Sequence, residues 1–118
     1  MNRGHLDEEL KLLHERICPA LGHPLRMKIL YLLEDKVMNV GELTQEMGIP
    51  QSSVSRHLRV LRERGFVRAE RQGTTIWYAL AEPELATAID ILRRILGRQL
   101  ESHVDQAQKI LGNDSEEE

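Results

Sequence analysis

The chain has 118 residues, enough for one hydrophobic core and one domain. Its 41% apolar and 30% charged residues exclude collagen-like and intrinsically disordered classes and fit a soluble globular protein. The formal net charge of −3 hides a strong asymmetry. Residues 51–80 carry Arg56, Arg59, Arg62, Arg64, Arg68 and Arg71 against Glu63 and Glu70, a local balance of +4, whereas residues 102–118 balance to −4.

The supply of aromatic side chains, Tyr31, Phe66, Trp77 and Tyr78, is small, so leucine, isoleucine and valine must build the core. No apolar run nears the roughly 18–20 residues that cross a bilayer. The first ten residues, MNRGHLDEEL, lack the apolar stretch of a signal peptide. The single Cys18 cannot form an internal disulfide. These features together predict a cytoplasmic protein without membrane contact.

Leu6, Leu10, Leu13, Ile17 and Ala20 recur in helical steps and predict a first helix that stops within 19–22. Pro24 suits the first position of a second helix, PLRMKILYLLED, whose buried stripe is Leu25, Ile29, Leu32 and Leu33. Asn39 followed by Glu42 has the form of a capping box, opening a short third helix, VGELTQEM, that Gly48 ends. Pro50 suits the start of a fourth helix with Val54, Leu58, Leu61 and Gly65 along its inner side.

The period then changes. FVRAERQGTTIWYAL is rich in β-branched and aromatic residues around Gln72 and Gly73, and predicts a β-hairpin. After Pro83 a long fifth helix carries Leu85, Ile89, Leu92, Leu96, Leu100, Val104, Ala107 and Leu111 in steps of three and four. The elements predict a mostly α fold with a β-hairpin wing, a winged helix-turn-helix spanning 1–112, followed by an acidic, disordered tail at 113–118.

On a helical wheel the fourth helix turns Ser52, Ser53, Arg56, Arg59, Val60 and Glu63 away from its apolar side, with Ser55 and His57 flanking that side. Serine is a mediocre helix former, so three serines in four positions point to a backbone that comes close to another molecule. Double-stranded DNA fits: a helix enters the major groove by its N-terminal residues, hydroxyls bond base edges or phosphates, and arginine pairs with guanine. The candidate DNA contacts are therefore Gln51, Ser52, Ser53, Ser55, Arg56, His57 and Arg59, with Arg71, Thr74 and Thr75 at the hairpin tip. For His57 a packing and hydrogen-bonding role weighs equally. A winged-helix module that binds protein instead of DNA is the alternative, and the segregated charge speaks against it. Paired catalytic carboxylates, a phosphate-cradling glycine loop and a nucleophile motif are absent, so no enzyme is predicted.

At LGHPLRMKILYLL and VGELTQEMGIPQSSVSRHLRVLRERGFVRAERQGTTIWYAL the chain resembles the ArsR/SmtB family of bacterial and archaeal repressors. The resemblance covers roughly residues 8–105. Its most specific part is the pattern S-x-H-L-x-x-L-x-x-x-G-[LF]-V, met by Ser55, His57, Leu58, Leu61, Gly65, Phe66 and Val67. It implies a homodimer whose first and last helices pack between subunits, and the long apolar stripe of the last helix independently favours association. A twofold pair would present two reading helices about one DNA turn apart to a palindromic operator. The expected function is a dimeric repressor released from DNA by a signal.

Release in the family is typically driven by a metal ion or a thiol-directed signal. The third-helix metal site needs cysteines in the segment corresponding to GELTQEMG, which has none. The last-helix site, which the resemblance implies is shared across the dimer, finds Asp90 and His103, but Leu92 and Gln106 stand where the other ligands would be, and two ligands cannot hold tetrahedral zinc. No metal site or cofactor is predicted. Cys18 is the remaining sensory residue, for a thiol, haem or metal signal. It stands four residues after His14, on the same helix face, and before Pro19 in a weak haem-type dipeptide. The competing and favoured expectation is a buried thiol that packs as a small apolar side chain.

Overall fold

The computed structural model describes residues 3–116, the side chains of 113–116 excepted. The elements in chain order are α1 (Arg3–Arg16), α2 (Cys18–Leu21), α3 (Pro24–Asp35), β1 (Met38–Asn39), α4 (Val40–Met47), α5 (Gln51–Glu63), β2 (Val67–Gln72), β3 (Thr75–Leu80) and α6 (Glu84–Glu116). They fall into two units, Met1–Ala86 and Thr87–Glu118.

The first helix differs from its expected form. The leucine spacing runs on to Ala20, but α1 ends at Arg16 and Cys18–Leu21 makes a separate short turn of helix. Pro19 has no N–H to give the Glu15 carbonyl, the bond a continuous helix would need there. Arg64, at the end of α5, supplies the missing donor: its Nη1 lies 3.1 Å from the Glu15 carbonyl and 3.4 Å from that of Arg16.

The remaining helix ends follow local chemistry. His23 caps α3 by accepting the Leu25 amide at Nδ1 (3.3 Å), with Pro24 beside it. The Asn39 side chain accepts from the Glu42 amide at 2.8 Å, and the Glu42 carboxylate accepts from the Asn39 amide at 3.1 Å, a complete capping box for α4. Gly48 ends α4 in the left-handed region, φ 67°, and donates to the Thr44 carbonyl. The Pro50 carbonyl then accepts from Ser53 and Val54, so that Pro50 is the cap of α5 and lies outside the helix. At the other end Phe66 donates to Leu61 and Gly65 to Arg62, the paired bonds of a Schellman stop.

The wing has a third strand that the sequence pattern does not show. β2 and β3 pair antiparallel from Val67↔Leu80 to Gln72↔Thr75 around a loop of Gly73 and Thr74, and Gly73, φ 65°, takes the positive-φ position of that turn. β1 adds to the far edge of β3 through Met38↔Tyr78 and Asn39↔Trp77, giving the order β1-β3-β2.

In the first unit the core is formed by Ile29, Leu30 and Leu33 of α3, Leu43 and Met47 of α4, Val54, Leu58 and Leu61 of α5, and Met38, Phe66, Val67 and Leu80 around the sheet. Leu25 and Leu32, expected in the buried stripe of α3, are half-buried, and Leu30 takes a place in the core instead. No residue of α1 is buried; Leu6, Leu10, Leu12 and Leu13 are exposed. The second unit is the helix α6 from Thr87 onward. There Leu92, Leu96, Leu100, Val104 and Leu111 are exposed. α6 continues through Glu116 and so enters the stretch expected as an acidic tail, 113–118, whose side chains, and residues 117–118 entirely, lie outside the described residues.

Candidate nucleic-acid interface

α5 is fixed by what it buries. Val54, Leu58 and Leu61 are at most 1% exposed, which sets the rotation of the helix and leaves Gln51, Ser52, Ser55, Arg56 and Arg59 in solvent. Ser53 is half-buried. The structure thus brings the hydroxyls and two guanidinium groups of the expected reading face together on one helix, next to the wing.

His57 does not belong to that face. It is 9% exposed and turned to the core side. Its ring meets that of His23 edge-on, centroids 4.6 Å apart, and its Nδ1 accepts from Arg26 Nε at 3.3 Å. Arg26 also donates through Nη1 to the Pro19 carbonyl at 3.2 Å. Burial, and then the nearby charges of His23, Arg26 and Arg56, hold the His57 imidazole below its ordinary pKa of 6.5. A neutral ring is what an accepting Nδ1 requires. His57 is therefore an anchor from α5 to α3 and, through Arg26, to α2.

At the wing tip Arg71 is exposed and its Nε donates to the Gly73 carbonyl at 3.2 Å, bracing the turn. Thr74 is exposed and Thr75 half-buried. Between the wing and α5 runs a groove of about 440 Å³ lined by Ser55, Thr74, Thr75, Ile76 and Tyr78, with Asn39, Val40 and Gly41 on its far wall. A neighbouring depression is lined by Ser55, Leu58, Arg59, Arg62, Glu63 and Tyr78. Tyr78 borders both, yet the sequence marks it only as an aromatic strand residue. Its closeness to Ser55 follows from the packing of the sheet against α5.

The proposed sensory residues lie on three elements, α1, α2 and α6. His14 is on α1 and Cys18 opens α2, so the break at Ile17 separates the two positions that an unbroken helix would place on one face. Cys18 is exposed, against the expectation of a packed thiol, because α2 turns Ala20 inward in its place. Asp90 takes a bond from Arg93 Nη1 at 3.3 Å. His103 lies about 20 Å further along the same helix, at 1.5 Å rise per residue. Among the described residues no group of three histidine, cysteine or acidic side chains is placed to hold a metal, and no helix is long and apolar enough to cross a membrane.

Two helices joined across a left-handed glycine, with a hairpin set against the second, are the arrangement of winged helix-turn-helix regulators. Comparison with known proteins agrees. Residues 23–69 match the family model described as bacterial regulatory protein, arsR family. The HTH-type transcriptional regulator Rv0081 of Mycobacterium tuberculosis is 37% identical over 98 residues, 82% of this chain and 86% of that protein. Its crystal structure superposes with a TM-score of 0.71, covering 80% of this chain and 96% of that one. The biofilm growth-associated repressor of Xylella fastidiosa is 38% identical over 80 residues, 68% of this chain and 70% of its own length. A solution structure from Mycobacterium bovis, described as a homodimeric winged helix-turn-helix DNA-binding domain, is 27% identical with a TM-score of 0.70, covering 82% of this chain and 90% of that one. The chain belongs to the arsR family of transcriptional regulators.

Proposed function

We propose that the chain is a dimeric, sequence-specific DNA-binding repressor of the cytoplasm that occupies an inverted-repeat operator and loses affinity on receipt of a signal. The observation that carries the reading is the exposed face of Ser52, Ser55, Arg56 and Arg59 on a helix whose opposite side is locked into the core. An N-terminal half of small hydroxyls lets the helix backbone approach base edges, and the two arginines supply bidentate or ionic contacts. Exposed leucines along α1 and α6 are the surface for a second copy, an inference supported by the homodimeric description of the Mycobacterium bovis structure. Pairing about a twofold axis presents the face twice, which is why the site should be an inverted repeat. The repressor sense follows the Xylella fastidiosa relative. A signal need shift the placement of the two heads by a coupling of only about 1–3 kcal/mol to release the operator.

The test is selection of bound duplex from genomic fragments, followed by binding titrations and light scattering. Tight binding to an inverted repeat by a dimer is the expected result. A strictly monomeric protein, or one that ignores every duplex at low salt while capturing a protein partner, would remove the reading in favour of a protein-interaction module. A reporter placed behind the selected operator should be silenced by the protein; activation would overturn the repressor sense alone.

A further inference from the structure

The groove between α5 and the wing has a chemistry that the reading face does not explain. Four hydroxyl-bearing residues line it, Ser55, Thr74, Thr75 and Tyr78, and among the described residues no hydrogen bond joins any of these hydroxyls to the protein. Hydroxyls gathered at one place and left without protein partners are suited to a ligand rich in acceptors. The adjoining depression, which shares Ser55 and Tyr78, adds the cations Arg59 and Arg62 and one opposing carboxylate, Glu63. Neutral donors backed by guanidinium groups match an anion with several oxygens.

Duplex geometry says which anion. The major and minor grooves of B-DNA are separated by a sugar–phosphate strand, so a protein that puts a helix in one and a hairpin tip in the other must let that strand pass between the two elements. Here that space is the hydroxyl-lined groove. We infer that it seats a backbone phosphodiester of each half-site between Ser55 and Tyr78, so that Tyr78 is a positioning contact for DNA. The inference rests on the DNA-binding reading above and adds to it a phosphate site and a residue outside the helix that reads. Such a contact fixes register and carries no sequence information.

The test uses the full chain with Tyr78→Phe, which removes one hydroxyl and little else. Affinity is measured for the selected operator, for a random-sequence duplex, and for operator duplexes carrying one methylphosphonate at a time. Tyr78→Phe should weaken operator and random duplex by the same factor, about tenfold for each lost hydrogen bond to a charged group and so about a hundredfold for the two made by a twofold pair. The salt slope should stay unchanged, because a neutral donor releases no counterion. At one phosphate per half-site, methylphosphonate should weaken the wild type by a clearly larger factor than it weakens Tyr78→Phe, which has already lost one of the contacts there. Equal affinity of variant and wild type, or losses that multiply at every phosphate, would overturn the inference. Ser55→Ala, at an exposed helix position, repeats the test if Tyr78→Phe does not fold. A wild-type chain that binds no duplex would sink the DNA-binding reading itself, whereas a wild type that binds and variants that bind equally well sink only the phosphate site.

Discussion

Arg56 and Arg59 sit three residues apart on the exposed side of α5, and the proposed DNA-binding reading gives them different tasks. Arg59 lines the depression shared with Ser55 and Tyr78, where a strand backbone would run, whereas Arg56 belongs to the N-terminal half that would approach base edges. In a twofold pair each substitution is made twice. Arg59→Ala should thus remove two ionic phosphate contacts, and at about 0.9 per phosphate the log–log dependence of affinity on salt should become shallower by about 1.8. Over a fourfold rise in salt the wild type should then lose about twelvefold more affinity than the variant. Arg56→Ala should leave the slope nearly intact and cut the preference for operator over scrambled duplex, by about 1–3 kcal/mol per half-site for a bidentate guanine contact. Fluorescence anisotropy with both duplexes across a salt series measures both effects. A slope identical to wild type for Arg59→Ala, together with unchanged preference for Arg56→Ala, would refute the division of labour and the orientation of α5 on which it rests.

Other expectations concern the scaffold. Because burial and its neighbours lower the His57 pKa, the unfolded chain takes up the proton first as pH falls. The contribution to stability is full above the unfolded value near 6.5 and is lost as pH drops from there through the folded value, so the urea midpoint should fall between about pH 7.5 and 5.5 by more in the wild type than in His57→Asn. Equal pH dependence would show that His57 does not titrate as its burial implies. Gly48→Ala should destabilise by about 1–2 kcal/mol, the cost of a left-handed backbone for an L-residue. An added Cβ meets nothing within 4 Å there, so the loss is backbone strain alone, and Gly48→Asn should recover part of it. Leu96→Asp combined with Leu100→Asp, at residues 53% and 54% exposed in the single chain, should give a folded monomer by light scattering with weakened operator binding. An intact dimer would move the interface off α6.

What the sequence makes legible is what neighbours in sequence decide. The Asn39 and Glu42 capping box, the glycine that stops α4 and the hairpin turn at Gly73 depend on bonds spanning a few residues, and each stands where the spacing places it. The outward face of α5 is legible for the same reason, since a helical wheel needs only the helix. The features that escaped are set by distant partners. The end of α1 depends on Pro19 and on Arg64, a guanidinium 48 residues beyond the Arg16 carbonyl it reaches. β1 is two residues long and exists as a strand only because β3 offers its free edge at Tyr78 and Trp77. His57 lies at the border of the apolar stripe on a wheel, and only Arg26 and His23, on and beside α3, decide that it faces inward.

The same distinction separates contact from control. The residues proposed to meet DNA are held on α5 by anchors that reach away from it, and one of these anchors is shared: the Arg26 guanidinium bonds His57 on α5 at 3.3 Å and the Pro19 carbonyl on α2 at 3.2 Å. These two bonds join α2 to α5 through a single side chain of α3. Arg64 ties the end of α5 to the last carbonyls of α1 in the same way. The segment 15–19 is thus joined to the middle and to the C-terminal end of the proposed reading helix by guanidinium groups, a route by which movement of that segment would bear on the orientation of α5.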